Sequence, residues 1–232
     1  MKSENLILKQ FTSNDEISNF IINKLINITK RKSNYVLISG GKTFDQLYKA
    51  IIIQKIDLSK ITFIICDERI VSPNSKQSNY NSFYKKFLNK MLKKNRPSII
   101  LLPKNYHLIK KELLCEKFIK EIPSPSKISL SILGIGSDGH IASIFDKNVS
   151  ILYQNKYLQV SKKKNEVFNR ISLNFDYLSK IKRKYLVIHD IKKKKVFNEI
   201  KDMNSKNANL IVHNLIISSK EKVTLLYDKQ II

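Results

Sequence analysis

The sequence predicts an α/β fold of three layers, α/β/α, in which helices cover both faces of a doubly wound, mainly parallel sheet that carries a small antiparallel addition. Three observations predict it. Short apolar runs alternate with amphipathic stretches of helical length. Two later runs follow one another with no helical pattern between them. All five glycines fall in two short stretches, each directly after an apolar run.

The strand-like runs are Tyr35 to Ile38, Ile61 to Cys66, Ile128 to Leu133 and Tyr185 to Ile188. Between Thr43 and Ile53, Phe44, Leu47, Tyr48 and Ile51 recur at i, i+3, i+4 and i+7, the period of one buried helical face. Helices are also expected over Ser78 to Leu92, Asn105 to Ile122 and Ile191 to Met203. The runs Tyr157 to Val160 and Arg170 to Leu173 give the antiparallel pair. Pro123-Ser124-Pro125-Ser126 reads as a loop. No repeat or linker divides the chain, so residues 1–232 are expected to form one domain. A hydrophobic share of 42% is ample for its core.

The formal net charge is +24, which alone would suggest a polyanionic partner. Only five of the 43 basic residues are Arg, the better reader of phosphates and bases, so the excess reads as drift toward A/T-rich codons. No helix-turn-helix segment is visible and aromatic residues do not interleave with the basic runs, so no specific nucleic acid is expected. Cys66 and Cys115 have neither metal-ligand nor disulfide-framework spacing. Met1 to Asn5 opens no apolar leader and no run reaches membrane-spanning length, so the expectation is a soluble cytoplasmic protein.

In an open parallel sheet, ligands bind beyond the carboxyl ends of the strands. Three candidate segments fall there. Ser39-Gly40-Gly41-Lys42-Thr43 lies between a strand and a helix start, where free N–H groups and the helix dipole favour an anion; a tight turn capped by Thr43 is the alternative. Gly134-Ile135-Gly136-Ser137-Asp138-Gly139 has the letters of a dinucleotide fingerprint, but Gln154, Asn155 and Lys156 stand where a ribose-binding acid is needed. His140 follows it and is placed for proton transfer, with Asp138 near enough in sequence to orient it. Asp67-Glu68-Arg69 supplies two carboxylates and a guanidinium, with a surface ion pair as the plainer alternative. His107 and His213 read as structural; His189, at a strand end, stays open. There is no nucleophile elbow and no metal-ligand spacing, so water activation would fall to a side chain.

Together these segments resemble the glucosamine-6-phosphate isomerase/6-phosphogluconolactonase family over nearly the whole chain. The resemblance rests on Ile38-Ser39-Gly40-Gly41-x-Thr43, on Asp67-Glu68-Arg69 followed by Ser78-Asn79-Tyr80, on Leu133 to Phe145, on Arg170-Ile171-Ser172-Leu173, and on a lysine best aligned as Lys193. It implies a modified Rossmann-like sheet and hydrolysis of 6-phospho-D-glucono-1,5-lactone without a metal or organic cofactor. It also implies His140 as general base, with Asp138 and Asp67 shaping the site. Gly40, Gly41, Lys42 and Thr43 would hold the phosphate, with Arg170 and Lys193 as counter-charges. Arg69 would meet either the phosphate or the developing oxyanion. The partner implied is a small phosphosugar lactone, handled by a monomer or weak homodimer with no membrane contact.

The family's amino-sugar isomerases carry a glutamate five residues after the motif histidine. Phe145 stands there in this chain, which favours the lactonase over the isomerase or deaminase alternative. A nucleic-acid-binding or sugar-sensing regulatory protein is the more distant alternative. The chain departs from the family pattern at Lys42, in place of a small hydroxyl residue, at Phe44 and Asp146, in place of prolines, and at Asp190, in place of a glycine. That last departure leaves Lys192, Lys193 and Lys194 as competing candidates.

Overall fold

A computed structural model of the chain describes residues 4–30, 34–145, 149–202 and 210–232. Met1, Lys2, Ser3, Asp146 and Met203, which figure in the expectations above, lie outside the described residues. Two sheets are present. The larger contains β1 (Leu6–Phe11), β2 (Tyr35–Ile38), β3 (Thr62–Ile65), β5 (Ser98–Ile100), β6 (Ile128–Gly134), β10 (Lys184–Ile188) and β11 (Val223–Asp228). Its order is β1-β11-β10-β6-β2-β3-β5 and every pairing in it is parallel. The smaller sheet is antiparallel, with β4 (Asp67–Arg69), β9 (Arg170–Leu173), β8 (Leu158–Lys163) and β7 (Val149–Gln154) in that order.

Burial on both faces explains the near-continuous apolar strands of the large sheet. Along β2, Val36 and Ile38 enter one core while Leu37 enters the other, as the two-residue side-chain period requires. The first core receives α1 (Asn14–Thr29), α2 (Asp45–Ile53) and α3 (Asn79–Lys86). The second receives α4 (Lys111–Glu121), α5 (Phe175–Ser179), α6 (Lys194–Lys201), α7 (Ile211–Ser218) and the inner face of the small sheet. Helix α1 buries Ile17, Ile21, Leu25 and Ile28 as one stripe, and Ser13 caps its start by accepting from the Glu16 N–H at 3.3 Å.

The three-layer architecture matches the expectation, including the antiparallel pairing of β8 with β9. The structure adds β1, α1, β4, β5, β7, α5 and β11 to the elements expected, and two expected helices are broken. Over 78–92, helix α3 ends at Phe87, whose φ of −125° and ψ of −72° interrupt the spiral before a single 3₁₀ turn at Leu88–Lys90. Over 105–122, Asn105 is left-handed and a 3₁₀ turn at Tyr106–Leu108 precedes extended backbone at Ile109; α4 begins only at Lys111. Apolar spacing survives such breaks because a 3₁₀ turn still returns side chains to the same face.

From β2 the sheet grows outward through β3 and β5, whereas β6 lies on the other side of β2 with β10 and β11 beyond it. The connections leaving β2 and β6 therefore diverge, and a crevice opens between them above the carboxyl edge. Both glycine stretches are the first residues of those connections.

Candidate active site

Ser39 joins the two glycine loops. Its N–H continues the ladder to Ile132 O at 3.2 Å, and its hydroxyl accepts from the Gly134 N–H at 2.8 Å. Gly41 then takes φ 96° with ψ −178°, a conformation that side-chain-bearing residues rarely adopt, and the chain turns into a 3₁₀ turn at Lys42–Phe44 that runs into α2. His189, at the end of β10, fixes the far side of this loop through a 3.0 Å contact from Nε2 to Thr43 O. A carbonyl only accepts, so Nε2 is the protonated nitrogen there.

The second loop is shaped around a side chain. Gly136 N–H donates to His140 O at 2.9 Å, and Gly139 N–H closes back on Gly136 O at 3.1 Å. A Cβ on Gly136 would lie 2.1 Å from Nδ1 and Cε1 of His140, so the ring occupies space that only glycine leaves open. Nδ1 of His140 pairs with Oδ1 of Asp138. The hydrogen bond from His140 holds the Asp138 carboxyl well below the usual carboxylate range. Since an ionised carboxylate only accepts, Nδ1 carries the proton and Nε2 keeps a lone pair. Phe145 packs against the ring at 4.6 Å between centroids.

The cleft between the loops has a volume of about 160 Å³ and brings together Gly40, Gly41, Thr43, Asp67, Arg69, His140, Arg170 and Lys193. Eight of the ten residues expected at the site thus line one cavity. Asp138 and Lys42 lie outside the lining, Asp138 paired with His140 and Lys42 exposed. Lys192 and Lys194 are exposed as well, whereas Lys193 turns inward and donates to Ile135 O at 2.7 Å. Burial lowers the ammonium pKa of Lys193, an effect that Asp190 partly offsets. Asp190, in the usual glycine position, caps the turn before Lys193 by accepting from the Lys192 N–H at 3.0 Å.

The Asp67-Glu68-Arg69 segment is not a surface ion pair. Asp67 and Glu68 are buried, and the segment is a strand paired with β9. Glu68 accepts from the backbone N–H groups of Arg69, Asn79 and Tyr80 and from Ser78 Oγ, so it anchors the start of α3 and faces away from the chemistry. Burial raises its carboxyl pKa, against those hydrogen bonds. Asp67 accepts from Ser143 Oγ at 2.7 Å and, through its backbone carbonyl, from Asn79 Nδ2 at 2.8 Å. Arg69 donates to Gln77 O at 2.7 Å.

Ser39, Asn79, Ser143, Lys163 and Glu166 belong to this neighbourhood without having been assigned a role from sequence. Asn79 lines the cleft, Lys163 Nζ lies 3.6 Å from Asp138 Oδ2, and Glu166 pairs with Arg170. Ser39, Asn79 and Ser143 lie inside the motif runs quoted above, a signal that position alone offered. Lys163 and Glu166 had none. His213 is buried on α7 and accepts from the Leu210 N–H at 3.3 Å, while His107 sits in the 3₁₀ turn, so both are structural. Among the described residues, no group of three or more His, Cys, Asp or Glu could hold a metal ion, and no helix is long and apolar enough to cross a membrane.

The fold and cleft define a class: an α/β protein with a glycine loop at a helix start and a histidine–carboxylate pair beside one crevice at the sheet's switch point. The chain belongs to the glucosamine-6-phosphate isomerases/6-phosphogluconolactonase family, whose model matches residues 12–224. It is similar to a probable 6-phosphogluconolactonase of Dictyostelium discoideum, 28% identical over 222 residues that cover 90% of this chain and 91% of the relative. A solved 6-phosphogluconolactonase from Shewanella baltica OS155 superposes with a TM-score of 0.78 at 16% identity, covering 98% of this chain and all of the other (100%). A monomeric glucosamine-6-phosphate deaminase superposes with a TM-score of 0.71 at 17% identity, covering 97% and 98%. The fold alone is therefore shared by both activities.

Proposed function

We propose that this chain hydrolyses 6-phospho-D-glucono-1,5-lactone to 6-phospho-D-gluconate, a step of the pentose phosphate pathway, with its site residues acting as follows. The Nε2 lone pair of His140 takes a proton from water as the water oxygen bonds to the lactone carbonyl carbon. The tetrahedral oxyanion then collapses, the ring C–O bond breaks, and the imidazolium returns its proton to the departing ring oxygen. The acid formed ionises to the carboxylate. Asp138 fixes the tautomer and stabilises the imidazolium. Backbone N–H groups of the Gly40-Gly41-Thr43 loop receive the phosphate with Arg170 and Lys193, and Arg69 adds positive charge from β4. A lactone is an activated ester, so base assistance and charge stabilisation suffice without a metal.

One observation carries the choice within the family. Phe145 lies 4.6 Å from the His140 ring where the amino-sugar isomerases carry a glutamate, and a phenyl ring transfers no proton. The chain acts as one domain over residues 1–232, as a monomer or weak homodimer in the cytoplasm; the free, buried Cys66 and Cys115 are consistent with a reducing compartment.

The test is hydrolysis of freshly made lactone by the purified chain, with the spontaneous rate subtracted, beside His140→Ala. The variant is expected to lose about 10²- to 10⁴-fold in kcat, the usual worth of a general base. Full activity in the variant sinks the mechanism. Ammonia release from glucosamine 6-phosphate, in the absence of lactone hydrolysis, replaces the function.

A further inference from the structure

Arg170 enters the cleft with most of its guanidinium already committed. Nε and Nη2 donate to the two oxygens of Glu166 at 2.7 and 2.6 Å, and Nη1 donates to Ser143 Oγ at 3.4 Å. Phe145 and Phe168 each lie 5.4 Å from the guanidinium carbon. A guanidinium has five N–H groups, so this arrangement leaves one on each terminal nitrogen. Two parallel N–H groups on a fixed plane suit a pair of phosphate oxygens.

Glu166 is placed by the turn that joins β8 to β9. Asn165 takes φ 68°, and the Glu166 N–H donates to Lys163 O at 3.1 Å, which folds the carboxylate back over the first residue of β9. Burial alone would raise the Glu166 carboxyl pKa, but the hydrogen bonds and charge of Arg170, with Lys163 and Arg69, outweigh it and hold the group ionised. A second carboxylate flanks the same guanidinium. Asp67 is only one hydroxyl away, because Ser143 Oγ donates to Asp67 Oδ2 at 2.7 Å. Without Glu166, the guanidinium of Arg170, a residue only 8% exposed, would turn toward Asp67, neutralising at once the cation meant for the anion and the carboxylate lining the cleft.

We propose that Glu166 is the positioning residue of the anion site: it holds Arg170 by one edge, away from Asp67, so that the remaining N–H pair meets the substrate phosphate. This rests on the lactonase reading for the identity of the substrate, while the clamp itself concerns only the anion. Glu166 touches neither substrate nor the reacting atoms.

The experiment compares wild type, Glu166→Ala, Glu166→Gln, Arg170→Ala and the double variant Glu166→Ala/Arg170→Ala, each checked for an unchanged Tm to within a few degrees. Glu166→Ala is expected to raise KM about tenfold with kcat within about twofold, and to weaken competitive inhibition by inorganic phosphate in parallel. Glu166→Gln keeps one acceptor oxygen and is expected to recover part of the loss. In the Arg170→Ala background, Glu166→Ala should add no further change, since the partner is already gone. Unchanged KM in Glu166→Ala overturns the proposal, as does tighter phosphate binding, which would make Glu166 a repulsive charge. Additive effects in the double variant overturn it too. Direct titration of the same variants with inorganic phosphate, followed by phosphorus NMR, separates the two readings. A wild-type chain that binds phosphate but hydrolyses no lactone refutes the function and leaves the clamp to be judged on binding. A wild type that binds no phosphate refutes the clamp.

Discussion

The loop after β2 and the loop after β6 are built from the same residue type for opposite purposes. In the first, Gly41 takes φ 96°, and a Cβ there would meet nothing within 4 Å. In the second, Gly136 has no need of a special φ, but its missing Cβ is the space in which the His140 ring sits. Each loop also holds a glycine of the other kind: a Cβ on Gly40 would lie 2.5 Å from Asn79 Cγ, and Gly139 takes φ 77°. The contrast between Gly41 and Gly136 teaches that one glycine is needed for its conformation and the other for the space its missing side chain leaves.

That contrast can be broken most directly at Gly136. In Gly136→Ala the new methyl would overlap the His140 ring, so the imidazole must leave Asp138, and kcat is expected to fall nearly as far as in His140→Ala, about 10²-fold or more. Retention of most activity in steady-state assays would show that the loop is less closely packed than the structure describes. Gly41→Ala meets open space and should spare kcat. Its penalty is backbone strain of about 1–2 kcal/mol in unfolding free energy together with a raised KM, read by denaturant titration and by lactone saturation curves.

A smaller effect is expected at Asp138. Hydrogen bonding to His140 depresses the folded-state pKa of this carboxyl, so the pair's stabilisation is present above the ordinary carboxylate value and is lost only as pH falls through the lower, folded value. Across neutral pH the carboxylate is therefore fully ionised. Asp138→Asn removes the negative partner of the imidazolium and the tautomer lock, so kcat at neutral pH should fall while KM changes little. An unchanged kcat in steady-state assays of that variant would mean that Asp138 has no hold on the base.

The smallest expected change is on the anion side. Burial lowers the pKa of Lys193, so its positive charge is lost at a lower pH than that of an exposed lysine. KM for the phosphorylated lactone should accordingly climb on the alkaline side, and Lys193→Met should raise KM at neutral pH while flattening that climb. Inhibition by inorganic phosphate measured across the same pH range provides the check.

Much of this was legible in the chain because glycine is so scarce in it. Strands β2, β6 and β10 announce themselves as apolar runs, and the glycines mark the two places where the backbone must do something unusual, so the crevice could be located from order alone. The sequence did not reveal that Glu68 would turn away to anchor α3, because three adjacent polar residues look alike until a strand assigns them alternate faces. Nor did it separate Lys193 from its neighbours in a four-lysine run, since a 3₁₀ turn followed by a helix determines which ammonium faces inward. The breaks at Phe87 and Ile109 were hidden for a related reason: apolar spacing records which side chains are buried and says less about the spiral that carries them.

What the sequence by itself determined, then, is local: strand, turn and helix starts, the two glycine loops, the His140–Asp138 proximity two residues apart, and a phenylalanine where a relative would carry an acid. What only the tertiary structure decided is everything that joins distant segments. Ser39 reaches Gly134, Asp67 meets Ser143, and β4 pairs with β9 across a hundred residues of chain. Glu166 and Arg170 are four residues apart, yet their meaning depends on the same folding, because the clamp matters only once Arg170 lies beside Asp67 in the cleft. Local backbone preference is written in neighbouring residues, whereas a charge acquires its role from the partners and the burial that the packed sheet imposes on it.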